Sequence, residues 1–114
     1  MSQANKLYIL WTNADLITSE KMVMMYATNS MLKHWWEEVT VIIWGATAKI
    51  IAENKMLQGK LEIARLAGVR FSACKACADQ LGVTERLREM EIEVIYWGEE
   101  LTRLLKEDEK LISV

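Results

Sequence analysis

Four short apolar runs recur along this chain, and stretches with helical spacing separate them. Lys6–Trp11 (K-L-Y-I-L-W), residues 39–44 (V-T-V-I-I-W) and residues 92–97 (I-E-V-I-Y-W) predict strands. A fourth run opens at Val69, where alternation puts Val69, Phe71 and Ala73 on one face. It turns helical near Cys74, with Ala76, Ala78 and Leu81 as good helix formers and Gly82 as the stop. The intervening segments predict helices. One runs from an N-cap at Thr18 to about Lys33, with Ser19 and Glu20 in its first turn. Another covers Ala46–Glu53, breaks at Asn54, and resumes over residues 56–67 with Leu57, Leu61 and Ala64 as its stripe and Gly68 beyond its end. Thr84 caps a helix over residues 85–90, Glu99 and Glu100 open one that reaches Lys106, and residues 111–114 form a short last strand. The order β-α-β-α-β-α-β-α-β predicts an α/β fold with a mainly parallel sheet of four to five strands, helices on both faces and right-handed crossovers.

The first helix is too apolar for one face. Its middle, M-V-M-M-Y-A over residues 22–27, wraps more than about one and a half turns. Met22, Met25 and Tyr26 form one stripe, while Val23, Met24 and Ala27 point elsewhere. A sheet covers the first stripe only, so the second, centred on Met24, predicts a subunit contact and a homo-oligomer.

Three strands end in tryptophan followed by a turn: Trp11-Thr12-Asn13, Trp44-Gly45 and Trp97-Gly98; the remaining one ends at Cys74. In a parallel sheet these ends share the carboxyl edge, where α/β proteins place their sites. The candidate site is therefore Cys74 and Cys77, with Lys75 between them and Thr12, Asn13, Trp44, Gly45, Trp97 and Gly98 around them as binding residues. Unpaired N–H groups and the positive dipole end at a helix start favour thiolate, the reactive form of cysteine, and Lys75 adds charge. The i, i+3 spacing puts both sulfurs on one side of the first turn, within reach of a disulfide. The plainer alternative is that both cysteines are small buried hydrophobes and that the tryptophans fill core or interface.

Composition narrows the choices. The 114 residues suit one domain spanning 1–114, with enough chain for a core. The net charge of -2 argues against nucleic acid, which needs a basic face. No apolar run reaches the ~18 residues of a membrane span. The opening M-S-Q-A-N-K leads straight into a strand with no leader, which together with two cysteines fits a reducing cytoplasm. Cys74, Cys77 and the lone His34 fall short of the four ligands of a structural zinc site, and no Gly-rich phosphate motif is present, so neither metal nor cofactor is expected.

The cysteine segment G-V-R-F-S-A-C-K-A-C-A-D-Q-L-G-V, the opening K-L-Y-I-L-W-T-N, the run V-T-V-I-I-W-G and the ending I-E-V-I-Y-W-G-E-E-L-T resemble the DsrE/DsrF-like family, which includes subunits of bacterial sulfur-relay complexes. The resemblance implies a three-layer α/β/α sandwich, assembly as trimers or hexamers, and sulfur donor and acceptor proteins as partners. It also implies a persulfide on the cysteine that falls at Cys74, a sulfurtransferase-type carrier activity. Cys77 departs from that pattern. It admits a second expectation, a dithiol–disulfide redox protein, beside a third, an oligomeric binding module without catalysis.

Overall fold

The structure, a computed structural model, describes residues 5–114; the first four residues of the opening read above for a leader lie outside them. Five strands form one sheet, β1 (Lys6–Trp11), β2 (Glu38–Ile43), β3 (Arg70–Cys74), β4 (Glu93–Ile95) and β5 (Leu111–Ser113). All neighbours pair in parallel, in the order β4-β3-β2-β1-β5. Six helices connect them: α1 over residues 16–32, α2 (Ala46–Glu53), α3 (Lys55–Ala67), α4 (Lys75–Leu81), α5 (Thr84–Glu89) and α6 (Gly98–Lys106).

The strand order explains how the helices divide. Each step from β1 to β4 moves one strand in the same direction, so right-handed crossovers carry α1 to α5 to one face. The step from β4 to β5 runs back across the sheet and lands α6 on the opposite face. The core follows this division. Ile9, Val41 and Phe71 meet Val23, Ile51, Leu61 and Leu87 on the first face. On the second, Ile42 and Cys74 meet Trp97 and Leu104, with partly buried Tyr8, Leu10, Trp44 and Ile95 around them. The result is a three-layer sandwich with one thick and one thin helical layer.

Several local expectations shift. Asp15, not Thr18, caps α1: its carboxylate accepts the Thr18 N–H at 2.9 Å, and that bond holds its pKa below the ordinary value. α1 is α-helical over Leu16–Thr18, π-helical over Ser19–Met24 and α-helical again over Met25–Leu32. The wider turn rotates the helix face. Val23 and Met24 therefore both reach the core, Met24 with 1% exposure, while Met22 and Met25 stay 36% and 47% exposed. This reverses the expected stripes: Val23, Met24 and Ala27 are the buried set. The π segment begins at buried Ser19, whose hydroxyl accepts the Trp11 indole N–H at 3.1 Å and donates to the Asn13 carbonyl at 3.0 Å. β4 keeps only the middle of residues 92–97, because Trp97 turns to helical backbone (φ -97°, ψ -9°) at the start of α6. Val83 rather than Thr84 holds the N-cap position of α5, and the Thr84 hydroxyl donates to Asp79 instead. Asn54 both ends α2 and caps α3, accepting the Leu57 N–H at 2.9 Å.

Candidate functional site

The connection after β3 leaves onto the first face, while that after β4 leaves onto the second. Their carboxyl ends form the topological switch point, the place where ligands bind in open α/β sheets. Cys74 stands at this point. As the last residue of β3 it shares the second face with Ser72, is 4% exposed, and holds the N-cap position of α4 with extended backbone (φ -71°, ψ 117°). Cys77 follows one turn later, half-buried against the same cluster.

Two groups approach the Cys77 thiol. It lies near the Cys74 side chain and the Gly45 N–H. Gly45 is required there by its backbone: φ 68°, ψ -130° is a conformation that L side chains rarely adopt, although the space beyond its Cα is open. β2 thus ends in a turn that brings an N–H near sulfur. Burial pushes the Cys77 thiol above its ordinary value of 9.0; the Gly45 N–H pulls the other way, and the nearby Cys74 side chain adds to the rise. The helix start therefore does not dominate the acidity of Cys77.

The other expected residues divide. Trp44 packs half-buried on the cysteine cluster, its backbone N–H donating to Thr47 Oγ1 at 3.1 Å. Trp97 is buried in that cluster, its indole N–H donating to Ser72 Oγ at 2.8 Å. Gly98 opens α6 at the surface and accepts the Thr102 hydroxyl. Lys75 does not lend its charge to the sulfurs: its ammonium lies 2.6 Å from the Asp79 carboxylate and 5.4 Å from the Tyr96 ring centre. That contact raises the Lys75 pKa and lowers that of Asp79. Trp11 points to the first face. Thr12 and Asn13 end β1, two strands from β3, about 10 Å away at ordinary strand spacing. Their backbone N–H groups and the Thr12 hydroxyl hold the Val114 carbonyl, and the Asn13 side chain accepts the Asp15 N–H. They fasten the last strand and open α1. The structure thus gathers Cys74, Cys77, Trp44, Gly45 and Trp97, and leaves Thr12 and Asn13 apart. Ser72 is the residue the sequence reading passed over, although S-A-C alternation places it on the same face as Cys74.

Among the described residues no group of three or more His, Cys, Asp or Glu could hold a metal ion, and no helix is long and apolar enough to cross a membrane. The architecture is a small parallel α/β sandwich, with Cys74 at the end of its third strand. The chain belongs to the DsrE/DsrF-like family, whose model matches residues 6–114. It is similar to the structure of a conserved protein of unknown function from Bacteroides thetaiotaomicron, at 36% identity and TM-score 0.97, covering 100% of this chain and 98% of that one. A protein of unknown function from Methanobacterium thermoautotrophicum shares the fold at 18% identity and TM-score 0.71, covering 96% and 98% of the two chains. The YchN protein of E. coli does so at 16% identity and TM-score 0.72, covering 96% and 99%. No curated protein matches the sequence.

Proposed function

We propose that this protein is a cytoplasmic sulfur carrier whose Cys74–Cys77 pair accepts a sulfane sulfur from a donor persulfide and passes it to a partner thiol. The observation that carries this reading is the proximity of the two thiols at the switch point, one buried and one half-buried. Sulfur enters at the outer thiol. The Cys77 thiolate attacks the terminal sulfur of the donor R–S–SH; the donor S–S bond breaks, R–S⁻ leaves and takes a proton, and Cys77 becomes a persulfide. The Cys74 thiolate then attacks the outer sulfur of that persulfide, giving a Cys74 persulfide and returning the Cys77 thiolate. The Cys74 form is shielded, and an acceptor thiol reverses these steps to collect the sulfur. The same proximity favours one second reading, a dithiol that closes to a disulfide when the Cys74 thiolate attacks the inner sulfur of the Cys77 persulfide and expels hydrosulfide, the donor persulfide being the oxidant.

Intact-mass spectrometry after incubation with a small persulfide donor separates the two. One added sulfur atom supports the carrier, and loss of two hydrogens without added sulfur supports the disulfide. Cys77→Ser should slow loading far more than Cys74→Ser, which should leave a persulfide on Cys77. An unchanged mass after the incubation overturns both readings.

The carrier docks other proteins and, on this reading, copies of itself. Met22 and Met25 of α1 share an exposed groove with Trp35 just beyond it, Met25 also lies beside Ile63 of the neighbouring α3, and Leu66 of α3 is 89% exposed. Such a patch suits an interface between identical chains, in a trimer or hexamer as in the family.

A further inference from the structure

The second face of the sheet holds another feature, toward the amino ends of the strands. There α6 and the sheet enclose a cavity of about 330 Å³. Parallel sheets under helices normally present continuous apolar residues. Here Tyr8, Thr40, Ser72 and Glu93 supply a polar floor instead. Ser72 is satisfied: it accepts the Trp97 indole N–H at 2.8 Å and donates to Glu93 Oε2 at 2.8 Å. Thr40 is not. It is 9% exposed, and its hydroxyl has no hydrogen-bond partner among the described residues. The Tyr8 hydroxyl likewise has none. Both hydroxyls open to the cavity with no partner among the described residues, so both are free to bond a solute held there.

The charges around the cavity say what kind. Two carboxylates, Glu93 and Glu100, face two guanidiniums, Arg70 and Arg103. Ser72 binds one oxygen of Glu93 and leaves the other available. Arg103 already forks to Glu100 at 3.1 Å and Glu107 at 2.9 Å, whereas Arg70 stands 3.7 Å from Glu38 in a looser pair. A phosphate would meet two carboxylates, and a simple cation would meet two guanidiniums. A molecule carrying one charge of each sign answers both. Ile95, Trp97 and Leu104 provide an apolar wall for its remainder.

We propose that this cavity binds a small zwitterion of the free amino acid class. Its ammonium lies at Glu93, its carboxylate at Arg70 and the Thr40 and Tyr8 hydroxyls, and its side chain against Trp97. The site is separate from the sulfur chemistry, although Trp97 lines the cavity and packs on the Cys74 cluster.

Calorimetric titration of the full chain with a panel of free L-amino acids tests this. At least one should bind saturably with one site per chain. The amine and the carboxylic acid that share its side chain but lack one charge should each bind about tenfold or more weakly. Glu93→Gln, at an exposed position that does not threaten folding, should weaken binding about tenfold, and Thr40→Val should weaken it in the same direction. The Cys74→Ser/Cys77→Ser chain should bind as the wild type does, so a failed sulfur assay leaves this result standing. Absence of saturable binding across the panel overturns the proposal. So does equal binding of either singly charged analogue, or a Glu93→Gln chain that binds like the wild type.

Discussion

The two faces of the sheet were built under different rules. The first lies beneath five helices, and its strand residues Leu7, Ile9, Val39, Val41, Phe71 and Ala73 are buried among apolar neighbours. The second lies beneath α6 alone, and it carries both cysteines, the buried Ser72–Trp97 hydrogen bond and a polar cavity. A helix about 10 Å across cannot cover five strands spaced about 4.8 Å apart. Where coverage is complete, every position is committed to packing. Where one reversed crossover leaves it thin, polar and reactive side chains stay within reach of solvent while the thick layer supplies the stability.

The largest test of that contrast is a cavity in the thick layer. Leu61→Ala removes a fully buried side chain of α3 and should cost about 2–5 kcal/mol in urea denaturation. A cost near zero would show that the first face is not what holds the fold. On the thin side the leading stability effect should come from polarity. Ser72→Ala strands the buried Trp97 N–H and should cost about 1–3 kcal/mol, whereas a core that merely tolerates serine would be unchanged or gain.

Gly45→Ala should cost about 1–3 kcal/mol, from backbone strain and not from crowding. It should also change the alkylation rate of Cys77 through the displaced N–H; an unaffected rate would show that this N–H does not tune the sulfur. Met25→Glu should leave the chain folded and convert an assembly to monomers in light scattering, because Met25 is exposed. The same change at buried Met24 should unfold it. A wild-type chain that scatters as a 13.2 kDa monomer at micromolar concentration would remove the interface altogether.

The smallest effect is on proton binding. Burial raises the folded Cys77 pKa above 9.0, so its thiolate is scarcer than in the unfolded chain at any pH near that value. Alkylation of Cys77 should therefore rise with pH to a midpoint above 9.0, and the midpoint should fall toward 9.0 in denaturant. A folded midpoint below the ordinary value would mean that the helix start and the Gly45 N–H outweigh burial.

Much of this was legible along the chain. Short apolar runs alternating with helical spacing determine a parallel α/β sandwich, since no other arrangement buries both kinds of stripe. Gly68 and Gly82 mark helix ends because the backbone there is left-handed (φ 112° and 72°). The cysteine spacing sets both sulfurs on one side of a turn whatever surrounds them. Local pattern does not carry what depends on distant partners. The π turn in α1 inverted its exposed stripe, and its buried Ser19 is tied to Trp11, eight residues earlier and on a different element. Lys75 found Asp79 and Tyr96 instead of the sulfurs, because side chains choose partners only once the helix and the β4–α6 turn are in place. Thr12 and Asn13 were spent on the Val114 carbonyl at the far end of the chain. Above all, the order β4-β3-β2-β1-β5 decided which face is thin. Strand order is a choice among long-range pairings of similar local energy, and only the packed chain settles it.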